Sequence, residues 1–125
     1  MRIVAREDND ISLAASGYGA ALKLDHMDGF AVSVRMTVSA GTLAGTLSLQ
    51  GTASDPFTNN VNNTANPNAV WDDIPGTAVA VSTTTTATYS YNAESIYFRG
   101  VRLKWVYTSG TATYDASWSA KGSQS

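Results

Sequence analysis

The sequence predicts an all-β fold: an antiparallel β-sandwich, jelly-roll-like, of about eight strands. Three observations predict it. Four windows alternate apolar and polar residues with a period of two, which turns one strand face to a core and the other to water. Short stretches carrying Gly, Ser, Asn and Asp separate such windows. Finally, 43% of the residues are hydrophobic and only 14% are charged. The polar surface therefore falls to Thr, Ser, Asn and Gly, which favour strands and turns over long helices.

The alternation is plainest in FAVSVRMTV, where Phe30, Val32, Val34, Met36 and Val38 share one face and Ser33, Arg35 and Thr37 the other. GTLSLQGT repeats it, with Leu47 and Leu49 opposing Thr46, Ser48 and Gln50. In VRLKWVYT, Val101, Leu103, Trp105 and Tyr107 oppose Arg102 and Lys104. In TATYDASWSA, Ala112, Tyr114, Ala116, Trp118 and Ala120 oppose Thr113, Asp115, Ser117 and Ser119. Weaker strands are ISLAA (11–15), AALKL (20–24), VAVS (79–82) and ATYSYN (87–92), while SIYFRG (95–100) leads into the strand that follows. TSGT around Gly110 predicts a hairpin between the last two strands. VSAGTLAG around Gly41 predicts a short connection between strands at 30–38 and 45–51. The Thr run at 83–86 suits an edge strand, and no window reads as a helix.

At 125 residues the chain is one domain's worth of core. Residues 1–10 read as an N-terminal arm or edge segment and 11–125 as a single sandwich. A long irregular loop at 53–76, ASDPFTNNVNNTANPNAVWDDIPG, breaks the rhythm and holds all three prolines. Loops of that length are uncommon, and binding residues concentrate on loops carried by a rigid scaffold.

Several function classes fall away. A net charge of -2 and a pI near 5.1 give no drive for counterion release on nucleic acid. The absence of cysteine excludes disulfides, thiolate catalysis and Cys-based zinc sites. MRIVAREDND is too charged for a secretory signal, and no run approaches the roughly 18 apolar residues of a membrane helix. The chain is expected to be soluble, with the NNT sequon at Asn62 left bare.

Three constellations invite chemistry. LDHMDGF places Asp25 and Asp28 around His26, the single histidine. A metal site there would need help from Asp72 and Asp73, and a catalytic histidine would need a nucleophile beside it. Turn chemistry explains the stretch more simply: Asp28-Gly29 favours a tight turn, with Met27 tucked under the next strand. No catalytic residue, cofactor or metal is expected. Among the aromatics, Trp105 and Trp118 lie on apolar strand faces and read as core, whereas Trp71 in the loop is the candidate for stacking on a sugar. Arg99, Arg102 and Lys104 form a basic stripe of the kind that contacts an acidic partner surface or nucleic acid, but read more simply as a solvated strand face that discourages edge pairing.

Three stretches together resemble small structural proteins of tailed bacteriophages, of the capsid decoration or head-fibre type: LDHMDGFAVSVRMTVSAGTLAGTLSLQGT, VWDDIPGTAVAV and FRGVRLKWVYTSGTATYDASWSAKG. The matching elements are an LQGS-like segment at 49–52, a Trp-x-x-Ile-Pro-Gly element at 71–76, and a closing strand pair at 101–122. This resemblance implies an enzymatically silent virion protein on the capsid surface, made in the host cytoplasm. It would be trimeric and would bind the major capsid protein or other virion proteins, with no nucleic acid and no membrane as partner. The contact residues expected are Ile3 and Arg6 in the N-terminal segment and Phe57, Val61 and Trp71 in the loop. The LQG…SDP…W..I run also resembles discoidin-like sandwiches, which implies the alternative of a glycan-binding module. A hydrolase built on His26 ranks last.

Overall fold

The computed structural model describes residues 2–25, 27–58, 64–94 and 96–122. Its strands are β1 (Arg2–Ser12), β2 (Gly17–Tyr18), β3 (Leu22–Lys23), β4 (Gly29–Thr52), β5 (Asp72–Asp73), β6 (Val79–Thr83), β7 (Thr86–Ala93) and β8 (Gly100–Gly122). The described residues contain no helix.

Two long strands organise everything else. β4 and β8 run antiparallel along their whole length, from Gly29 opposite Lys121 to Thr52 opposite Gly100. Their ladder slips between Val38 and Gly45, where Gly41 and Gly110 take positive φ values of 70° and 87°. Glycine adopts that backbone without a Cβ penalty, and such slips bend a ribbon. The hairpin expected at Gly110 and the connection expected at Gly41 are therefore replaced by one bent two-stranded ribbon. A glycine at positive φ serves a bulge as readily as a turn, so local sequence does not separate the two.

All eight strands belong to one hydrogen-bonded sheet, which the bend divides into two layers, a first and a second sheet. In the first, the order is β1, β8 (112–122), β4 (29–38), β7. In the second, β2 and then β3 flank β8 (100–107), and β6 and β5 flank the far side of β4 (43–52). Both bent strands run through both layers, so the sheet folds over on itself with the inward side chains between the layers. The sequence-predicted β-sandwich is what forms.

Alternation explains which side chains face inward. Phe30, Val32, Val34 and Met36 from the first sheet join Leu47, Leu49, Leu103 and Trp105 from the second in one buried cluster. A polar link crosses it. The Tyr89 hydroxyl donates to the Thr77 carbonyl at 2.8 Å, and the Leu49 N–H donates to the Thr77 hydroxyl at 3.1 Å. Burial, with the neighbouring Tyr91 adding to it, pushes the Tyr89 phenol up to about 12, so it remains a donor across physiological pH.

Smaller expectations shift. ISLAA is not a strand of its own: β1 reaches Ser12 after a bulge between Asp8 and Ile11, and only Leu13 enters the core. The window at 20–24 shortens to β3. The Thr run is half strand and half bend: Thr83 ends β6, Thr86 opens β7, and the chain bends at 84–85, with the Thr85 N–H donating to Thr83 Oγ1 at 3.2 Å. The turn expected at Asp28-Gly29 sits earlier, where the Met27 N–H donates to the Leu24 carbonyl at 3.0 Å. Gly29 instead opens β4, and a Cβ there would come within 2.4 Å of the Ala93 carbonyl. His26 lies outside the described residues.

Candidate functional site

The outward face of the second sheet departs from simple alternation. Ser48, Gln50 and Thr52 occupy outward positions on β4, yet they are 7%, 7% and 2% exposed. The long loop is anchored beside them. β5 pairs Asp73 with Gln50 and Asp72 with Gly51, and the Ile74 N–H donates to the Leu49 carbonyl at 2.9 Å. Farther out, Phe57 and Ala65 form an isolated bridge, and Asn66 Nδ2 donates to the Asp55 carbonyl at 2.8 Å.

Strand register builds a row of side chains here. Arg102 on β8 faces Gln50 on β4, and Gln50 faces Asp73 on β5. Gln50 relays between them: its Oε1 accepts from Arg102 Nε at 2.9 Å, and its Nε2 donates to Asp73 Oδ1 at 2.9 Å. Lys104 closes the row with an ion pair to Asp73 at 3.2 Å. Hydrogen bonds from Gln50 first, then Lys104, hold the Asp73 carboxyl below its usual range.

Arg102 is also clamped from both sides. Its guanidinium carbon lies 3.8 Å from the Tyr18 ring centroid and 4.2 Å from that of Trp71. β2 delivers Tyr18, and the loop just before β5 delivers Trp71. Such stacking is favourable by about 0.5–2 kcal/mol per ring, more as water is excluded. Burial lowers the proton affinity of Arg102, partly offset by Tyr18. No carboxylate pairs with it among the described residues.

A cleft of about 500 Å³ opens beside this stack, lined by Arg6, Asp8, Phe57, Asn66, Trp71 and Arg102 among others. Arg6 points inward from β1. Its Nη1 donates to the Ala21 carbonyl at 2.6 Å and its Nη2 to Ala20 at 3.0 Å, pinning the β2–β3 connection. Nη2 also pairs with Asp8 Oδ2 at 3.1 Å, and the guanidinium lies 5.6 Å from the Trp118 ring centroid. Its buried Nε has no partner among the described residues.

Three of the residues expected to make contacts, Arg6, Phe57 and Trp71, thus meet in one cleft. Ile3 does not: it lies elsewhere on β1, 66% exposed, beside a separate groove with Phe30 and Ala93. Val61 lies outside the described residues. Sequence reasoning missed Tyr18, Gln50 and Arg102. The reading of Arg102 and Lys104 as an edge-protecting face fails, because β8 is flanked on both sides, while Trp71 stacks on Arg102 and Asp73 pairs with Lys104. Arg99 has a different task. It forms ion pairs with Asp25 at 2.9 Å and Asp55 at 3.4 Å, and Lys23 joins both carboxylates at 3.6 Å. That network ties the loop's start to β3. It also engages the carboxylate of Asp25, and no three metal-ligating side chains converge among the described residues.

No protein-family model matches the sequence, and no curated protein matches it. The chain is similar to several solved structures. The SPBc2 prophage-derived protein YomS covers 95% of this chain and 96% of its own, at 9% identity and a TM-score of 0.51. A structure of Bacillus endospore appendages, disulfide-linked pili, covers 97% and 89% at 19% identity and a TM-score of 0.45. A CBM4 structure covers 81% of this chain and 58% of its own at 13% identity and a TM-score of 0.42. At 9% identity the likeness to YomS is one of fold alone, and the two lower scores carry no argument.

Proposed function

We propose that this chain is a structural protein of a bacteriophage virion, a capsid decoration or head-fibre protein that acts through protein–protein contacts and catalyses no reaction. One observation carries the reading. Among the described residues β1 is an edge strand hydrogen-bonded on one side only, and its two ends differ. The end near Asp10 is blunted by the bulge, with the Asp10 N–H donating to Asp115 at 2.8 Å. The beginning is regular and presents Ile3 at 66% exposure. Exposed regular edges recruit neighbours, and natural proteins protect those they do not use. A symmetric assembly, here a homotrimer, or a capsid surface supplies such a neighbour. That a prophage-derived protein of matching extent has the same fold supports this reading. The partner is the major capsid protein or another virion protein, and the working location is the capsid surface.

The test is co-sedimentation of the purified protein with capsids that lack it, together with the heat stability of those capsids. Binding that raises capsid stability, and that Ile3→Asp weakens, is expected. A protein that stays in the supernatant and leaves the shell unchanged rejects the proposal. A second reading, a glycan-binding module, is favoured by the cleft itself, which gathers Trp71, Phe57 and two guanidinium groups.

A further inference from the structure

The geometry points to an acidic sugar, a saccharide carrying one carboxylate, as the ligand of the cleft between β1, the β2–β3 connection and the long loop. This inference rests on the glycan reading and names its ligand class. Arg102 receives the carboxylate, Trp71 and Phe57 offer apolar ring surface to the sugar, and Asp8 accepts from a hydroxyl.

Charge sets the ligand's sign. Around the cleft, Arg6 is paired with Asp8 and Lys104 with Asp73. Arg102 alone has no acidic partner among the described residues, although its guanidinium is held between two rings and partly withdrawn from water. One uncompensated cation suits a monoanion. A polyanion such as nucleic acid would need several.

The available donors set the ligand's shape. Arg102 uses Nε on Gln50, and its two Nη groups make no hydrogen bond among the described residues. Those groups present parallel N–H donors in the planar geometry that a carboxylate accepts in bidentate fashion. The stack already fixes the guanidinium, so little side-chain freedom is lost when an anion docks.

The remaining lining favours a sugar over an acidic peptide. Asp8 uses Oδ2 on Arg6 and on the Trp118 indole, while its Oδ1 accepts no hydrogen bond among the described residues. An acceptor beside aromatic surface suits a pyranose, which has an apolar face and a rim of hydroxyl donors. The volume of about 500 Å³ is in the range of small-ligand sites.

Titration calorimetry with a glucuronate-capped trisaccharide, against the same trisaccharide with that carboxylate reduced to a hydroxymethyl group, tests the inference. The acid is expected to bind saturably and the reduced sugar at least about tenfold more weakly, the loss of one good charge-assisted contact. Arg102→Gln should erase the difference. Arg102→Lys, which keeps the charge and loses the fork, should reduce acid binding severalfold, and it decides the matter if the first variant does not fold. Equal binding of both sugars would leave the glycan reading standing and overturn the acidic-sugar inference. No binding of either sugar would overturn both. Binding of a Glu-rich hexapeptide in place of the acidic sugar, or unchanged acid binding in folded Arg102→Gln, would also overturn it.

Discussion

Arg35 and Arg102 begin from the same sequence logic. Each is the outward residue of an alternating strand in the central ribbon, flanked by buried apolar neighbours. Arg35 lies on the open face of the first sheet, its side chain 66% exposed, and makes an exposed ion pair with Asp115 at 3.3 Å. Arg102 lies on the second sheet, where the long loop crosses, and is stacked between Tyr18 and Trp71. Alternation decides which way a side chain leaves the sheet. Whether that direction meets water depends on what distant chain is laid over it.

The inner faces should not share this asymmetry. Met36 in the first sheet and Leu49 in the second are both fully buried. Met36→Ala and Leu49→Ala should each cost about 2–5 kcal/mol, through lost burial and the cavity left behind. Urea unfolding measures both. A large cost in one and almost none in the other would mean that the two sheets do not share a core. Next in size is Tyr89→Phe, which removes the donor to the buried Thr77 carbonyl. The cost expected is about 1–2 kcal/mol, and no change would show that the link between sheets is not a stabilising one.

Much of the fold was legible because a strand's two faces are encoded at a spacing of two residues. The inward sets at 30–36, 47–49, 101–105 and 112–120 could be read directly, as could Trp105 and Trp118 as core. Pairing was not legible in the same way. Gly110 suggests a hairpin locally, yet the partner of each flanking segment is a stretch of β4 roughly 50 to 90 residues away in sequence. The cleft was half legible. Trp71 stood out as an aromatic in an irregular loop, but Arg102 looked like any solvated cation, and Tyr18 and Gln50 carried no signal. Their roles come from β2 and β5, two-residue pairings too short to leave a periodic trace.

Arg102→Gln sharpens the comparison in stability as well as in binding. Losing both ring contacts and the Gln50 bond should cost about 1–2 kcal/mol, with a lower melting temperature as the readout. The Asp25 network gives a smaller, pH-dependent effect. Hydrogen bonding to Arg99 chiefly, with Lys23 contributing, holds Asp25 below its ordinary 3.8. A depressed carboxyl adds stability that is present above the unfolded value and is lost as pH falls through the folded one. Asp25→Asn should therefore lower stability near neutral pH and flatten its decline below about pH 4. An acid limb unchanged by the substitution would remove Asp25 from the account.

Arg35→Gln is the smallest change expected. Its partner Asp115 is also held by the Asp10 N–H, the largest cause of its lowered proton affinity, so removing Arg35 leaves that carboxylate bonded. Exposed pairs of this kind contribute little, because water solvates the separated charges nearly as well. The urea midpoint should not move measurably, and glucuronate-capped sugar should bind as before. If Arg35→Gln destabilised the protein as much as Arg102→Gln, the covering of the second sheet would have no energetic meaning, and the two arginines would be equivalent after all.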